Sequence, residues 1–258
     1  MCQLLAHHPY IFSSGYSSPL LNGLQRIRNG FSNDDFLLSQ LDSHFDISYN
    51  RMKNAYRGFF NGWFAETDRP YVVDKNRGWL GLVDFAREIA PDCYFIVNIR
   101  ELVQLYGSIE SQHQKTVLLN SADGAGDKTP QARAAHYFNG DGLVNICIGN
   151  VKSALTELPL DIKERVKVVQ YERLATNTTA IMNELFVWMG LPSCDLDPNA
   201  LDVMPKDADS FYRYKYPHNT YSEIRPVNNH WVSDEIKQAI VSQFPWYYET
   251  FYPEVLNK

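Results

Sequence analysis

The sequence predicts an α/β fold with a mostly parallel central sheet flanked by helices. Three short apolar runs carry this expectation: residues 71–75, 93–100 and 166–172. Each is rich in Val, Ile and aromatics and ends in a charged or polar cluster. Runs of this length and composition read as buried strands, and the helical stretches between them are the pattern of parallel strands joined by crossovers. In open sheets of this kind, ligands bind beyond the carboxyl ends of the strands. Lys75, Arg100 and Tyr171 are therefore expected to converge on one crevice. Two cations at strand ends imply an anionic ligand.

The remaining elements follow in order. Residues 1–8 read as a helix with no polar cap ahead of Met1, stopped by His8-Pro9. A polar loop spans 13–19, and amphipathic helical segments span 20–29 and 34–41. Residues 47–65 place Tyr49, Met52, Tyr56, Phe59, Phe60 and Trp63 at three-to-four spacing, a helix with an aromatic stripe that reads as core. Residues 79–89 and 101–114 are expected as helices after the first and second strands. Residues 120–142, rich in Gly, Asp and Ala, read as an excursion and a candidate lid. Helices are expected over 144–158, 178–189 (closed by Gly190) and 234–251, with irregular chain over 195–220. Asn177-Thr178-Thr179 reads as a surface turn opening a helix rather than a glycosylation site. One domain covers 1–258.

Composition narrows the function. The 258 residues are 45% hydrophobic and 14% aromatic, enough for a sizeable core. A net charge of −6 argues against a broad nucleic-acid surface, though it leaves room for a local cationic pocket. Cys2, Cys93, Cys147 and Cys194 lack metal-ligand spacing. No metal is expected, and reduced cysteines fit a cytoplasmic location. No apolar stretch approaches the roughly 20 residues of a membrane span, and the N-terminus lacks the pattern of a signal peptide. His7, His8, His113, His136 and His230 form no metal-binding pair and read as structural. Ser13, Ser14, Ser17 and Ser18 are expected to lack the strand–turn–helix setting of a nucleophile elbow.

Arg100 stands at a strand end with Ser108 eight residues on, about two helical turns into the next helix. By itself that pair is equally a capping ion pair and a small residue facing a sheet. With its neighbours it resembles the 3′-phosphate motif of sulfotransferases that use 3′-phosphoadenosine-5′-phosphosulfate (PAPS). Residues 168–174 (Val-Val-Gln-Tyr-Glu-Arg-Leu) resemble that family's strand-Tyr-Glu-x-Leu segment. Residues 224–228 (Ile-Arg-Pro-Val-Asn) resemble a basic-Pro-Val-Asn stretch of its tyrosylprotein branch. Residues 74–79 (Asp-Lys-Asn-Arg-Gly-Trp) are similar to the strand-end lysine motif of its bacterial and tyrosylprotein members. The likeness runs in matching order over most of the chain.

The resemblance implies a P-loop-NTPase-like three-layer sandwich and PAPS as co-substrate. It implies transfer of a sulfuryl group to a hydroxyl or amine of an acceptor, which is a small molecule, carbohydrate or peptide. Arg100 and Ser108 would hold the 3′-phosphate, Tyr171 would lie near the adenosine, and Arg225 would reach the nucleotide. Lys75 would be the catalytic cation, and Arg77 would bind donor or acceptor or pair with a carboxylate. In the tyrosylprotein branch a glutamate lies in the loop corresponding to residues 13–18, which here holds no acid. Asp34, Asp35, His44 and Glu66 remain as candidate bases. The family's 5′-phosphosulfate loop and the strand before it would precede Met1, so the chain is either an N-terminal truncation or a degenerate relative. The alternatives are a non-catalytic nucleotide-binding relative and a nucleotide or small-molecule kinase. The kinase would need a Gly-x-x-x-x-Gly-Lys-Ser/Thr loop, which the sequence does not contain.

Overall fold

The computed structural model describes residues 1–120, 123–203 and 219–256. Part of the irregular stretch expected over 195–220, and two residues of the 120–142 excursion, lie outside them. The chain divides into two compact units, Cys2–Cys93 and Tyr94–Lys258.

The first unit runs α1 (Cys2–Ala6), β1 (Ile11–Phe12), α2 (Leu20–Ser32), α3 (Asp35–Trp63), β2 (Tyr71–Val72), a 3-10 turn (Trp79–Leu82) and α4 (Val83–Ile89). β1 and β2 pair in parallel, Ile11 with Tyr71 and Phe12 with Val72. Asp34 caps α3, its Oδ1 accepting from Leu37 N at 2.8 Å. The two helical segments expected over 34–41 and 47–65 are one helix broken at His44, where φ is −145° and ψ is 58°. The aromatic stripe is only partly core. Tyr56 is buried with Leu20, Leu24, Phe64 and Ile89, and Met52 and Phe60 pack against that cluster. Phe59 and Trp63 are exposed. Arg57 donates to Ile89 O and Glu88 O, satisfying the last carbonyls of α4.

The second unit runs β3 (Phe95–Ile99), α5 (Leu102–Gln114), α6 (Pro130–Phe138), α7 (Leu143–Thr156), α8 (Leu160–Lys163), β4 (Val166–Gln170), α9 (Tyr171–Thr176), α10 (Thr178–Trp188), α11 (Asp234–Gln243), α12 (Pro245–Phe251) and α13 (Pro253–Leu256). β3 and β4 pair in parallel from Phe95 opposite Val166 to Ile99 opposite Gln170. The parallel sense expected from the sequence thus holds in both strand pairs. The core here gathers Ile99, Leu102, Tyr106, Phe138, Ile148, Ile240, Phe244 and Tyr248.

The stretch expected as an excursion contains α6. Thr129 Oγ1 caps it through Ala132 N, and Pro130 occupies its first turn. Ala134, Tyr137 and Phe138, at i, i+3 and i+4, are buried in the core. Arg133 anchors the helix: its Nε and Nη2 grip the Glu110 carboxylate of α5 at 2.8 and 2.7 Å, and its Nη1 donates to Lys128 O. The single Tyr106 hydroxyl proton is shared between Pro130 O at 2.7 Å and Glu110 Oε2 at 3.2 Å.

The bidentate pair yields a stability expectation. Arg133→Met leaves a nearly buried carboxylate without its cation and should cost about 3–5 kcal/mol in urea unfolding. Burial pushes the Glu110 carboxyl up, but Arg133, with Gln114 and Tyr106, outweighs it and holds the carboxyl below its ordinary range. A depressed folded value stabilises above the unfolded one and is lost as pH falls through the folded one. The advantage of the natural protein over the variant should therefore shrink steadily below the ordinary Glu range.

Candidate functional site

In the second unit the β3–β4 register, continued one step, sets Arg100 beside Tyr171. The Arg100 guanidinium carbon lies 5.0 Å from the Tyr171 ring centroid, a cation–π contact. Arg100 Nη2 donates to Asn228 O at 3.4 Å, while its Nε is buried with no hydrogen-bond partner. The next register step sets Glu101 beside Glu172, and Glu101 N donates to Glu172 Oε1 at 3.1 Å. Glu101 also caps α5, accepting from Val103 N at 3.0 Å and Gln104 N at 2.8 Å.

The chain around 228–232 crosses α5 closely. Gln104 brackets His230, donating to its carbonyl and accepting from its N–H at 2.6 Å. A Cβ on Gly107 would stand 2.5 Å from His230 Cβ, so the crossing requires glycine there. Ser108 follows on the same side of α5 as Gln104. Burial, reinforced by the Arg100 and Lys115 charges, pushes the His230 imidazole down, favouring its neutral form. Arg225 lies in the irregular segment leading to Asn228; its guanidinium lies over the Tyr221 ring and faces Glu223 at 3.8 Å.

In the first unit, the loop from β1 to α2 is tied to the exit of β2. Ser17 and Lys75 form an isolated parallel bridge. Ser18 N donates to Lys75 O at 2.9 Å, and Asn76 Nδ2 donates to Ser18 O at 3.0 Å. Lys75 Nζ donates to Gly15 O at 3.2 Å, with Gly15 at φ +76°. Trp79 Nε1 donates to Asp74 Oδ2 at 2.6 Å, and burial raises the Asp74 carboxyl above its ordinary range. Lys75 and Arg77 are exposed. The serines sit in the link between β1 and α2. That link is a seven-residue loop and not the sharp turn of a nucleophile elbow, as expected, and Ser13 and Ser18 hydroxyls accept from Gly15 N and Leu20 N.

The structure therefore brings Arg100 and Tyr171 together and ties Asn228 to them. Lys75 and Arg77 belong to the other unit. Glu101, Glu172 and Gln104, which organise the strand ends, and Asp74 went unnoticed as site residues in the sequence. The signal available for the first two was the repeated order of a candidate ligand followed by Glu, at Arg100-Glu101 and Tyr171-Glu172. Among the described residues, no group of His, Cys, Asp and Glu is placed to hold a metal ion, and no helix is long and apolar enough to cross a membrane.

No family model and no curated protein matches the chain. Among solved structures, the "Sulfotransferase Domain from the Curacin Biosynthetic Pathway" is similar in fold. Its TM-score is 0.48 and its identity 17%, covering 94% of this chain and 91% of that chain.

Proposed function

We propose that this chain is a PAPS-dependent sulfotransferase acting on a hydroxyl or amine. The observation that carries the reading is the Arg100 guanidinium, held at the paired strand ends against the Tyr171 ring with its Nε unpartnered. A planar cation of this kind suits a phosphate monoester, and an adjacent aromatic face suits a purine. Arg100 and Ser108 would hold the nucleotide's 3′-phosphate, Tyr171 its adenine, and Arg225 would add a further cation. The co-substrate supplies an activated sulfuryl group. In the transfer, the S–O bond to the phosphate breaks as a bond forms to the acceptor oxygen or nitrogen, and a base takes the acceptor's proton. The Lys75 ammonium would offset charge developing on the leaving oxygen.

Calorimetric titration tests the nucleotide reading. The protein should bind adenosine 3′,5′-bisphosphate more tightly than AMP, and Arg100→Ala should weaken the bisphosphate by about 1.5–3 kcal/mol. Equal affinity for the two nucleotides would remove the basis of the proposal. For Lys75, steady-state kinetics of PAPS-dependent transfer should show Lys75→Ala lowering kcat more than it raises KM. A change confined to KM would make Lys75 a ground-state binding residue.

A further inference from the structure

The last helices of the chain reach the β3 and β4 ends with three hydroxyls. Tyr247 Oη donates to Arg100 O at 2.8 Å, Tyr248 Oη to Glu101 Oε1 at 2.6 Å, and Tyr252 Oη to Glu172 Oε2 at 2.9 Å. Gln170 Nε2 at the end of β4 donates to Phe251 O. All three tyrosines are buried. Phenylalanine would fill the same volume, so packing does not account for the hydroxyls. Each one is spent on the dipeptide that carries Arg100 or the one that carries Tyr171.

The electrostatic setting gives those bonds a purpose. Glu101 and Glu172 flank Arg100, whose guanidinium is the group proposed to attract an anion. A carboxylate with unsatisfied oxygens would be free to turn onto the guanidinium and take up its N–H groups. Instead each of their four oxygens has a donor. Glu101 Oε1 takes Val103 N and Tyr248, and its Oε2 takes Gln104 N. Glu172 Oε1 takes Glu101 N, and its Oε2 takes Tyr252. The N-terminus of α5 adds its partial positive charge beside Glu101. Burial, then the neighbouring carboxylates and the Tyr247 ring, raise the Tyr248 and Tyr252 hydroxyls well above their ordinary range, so both remain donors across the working pH span.

We propose that Tyr247, Tyr248 and Tyr252 are positioning residues of the strand-end site: they lock Arg100-Glu101 and Tyr171-Glu172 side by side and engage the two carboxylates, so that neither pairs with Arg100 and its guanidinium N–H groups stay available to the 3′-phosphate. This rests on the nucleotide reading given above.

The test uses Tyr248→Phe and Tyr252→Phe, each keeping its ring, titrated with adenosine 3′,5′-bisphosphate and with AMP. Amide hydrogen exchange over 100–104 and 171–173 is followed in the same ligand-free proteins. Each variant should lose roughly tenfold in affinity for the bisphosphate, the worth of one hydrogen bond to a charged group, with AMP binding changed less than twofold. Exchange at those amides should quicken. An equal loss for both nucleotides, or no loss, overturns the positioning role. If the natural protein does not distinguish the two nucleotides, the nucleotide reading fails. Exchange then decides the clamp by itself: faster exchange in the variants upholds it, and unchanged exchange overturns it.

Discussion

The register of the β3–β4 ladder is the constraint on which the candidate site depends. Phe95 opposite Val166 fixes every later pairing, so the last rung, Ile99 with Gln170, leaves Arg100 facing Tyr171 and Glu101 facing Glu172. In a parallel pair a slip of one residue would turn every side chain to the opposite face. Phe95 and Ile99, buried on one face of β3 while Asn98 on the other is exposed, resist that slip; Val166 and Val169, three apart on β4, are buried on its two opposite faces. The hydrophobic pattern of two five-residue strands therefore sets the distance between a guanidinium and an aromatic ring.

Beyond the ladder, the strand ends are held by polar contacts from sequence-distant segments. α5 begins at Glu101, whose carboxylate caps it, so the helix starts where strand β3 delivers the chain. The segment around His230 lies against the same helix because Gly107 has no side chain to hold it off. This brings Asn228 O to Arg100. α6 is fastened to the far part of α5 by Arg133 and Glu110. Each fastening exchanges a buried charge or a lost side chain for a fixed position, which is how a loop-rich site acquires rigid walls.

Much of this was legible in the sequence. The runs ending at Arg100 and before Tyr171 carried enough Val and Ile to read as strands, and their parallel sense followed from the helices between them. β1 was not legible, because two residues between His-Pro and a serine-rich loop show no periodicity. α6 was hidden by the Gly and Asp around it, although Thr129-Pro130 is a start signal and Ala134, Tyr137 and Phe138 share one face. The exposure of Phe59 and Trp63 could not be read either: three-to-four spacing defines a face, not how much of that face a neighbour covers. The tyrosine hydroxyls of α12 and its exit turn were invisible for a related reason. Their partners lie 147 residues away for Tyr247 and Tyr248 and 80 for Tyr252, and no local pattern encodes such a contact.

Arg100, placed by this register, is the residue proposed to recognise a 3′-phosphate. Phosphorus NMR of adenosine 3′,5′-bisphosphate addresses that role most directly, because the two phosphates give separate signals. Binding should move the 3′ resonance and lower that phosphate's second pKa, as a facing guanidinium favours the dianion, and Arg100→Lys, which lacks the planar fork, should remove most of the effect. A response confined to the 5′ resonance, or one that Arg100→Lys leaves intact, would contradict that role.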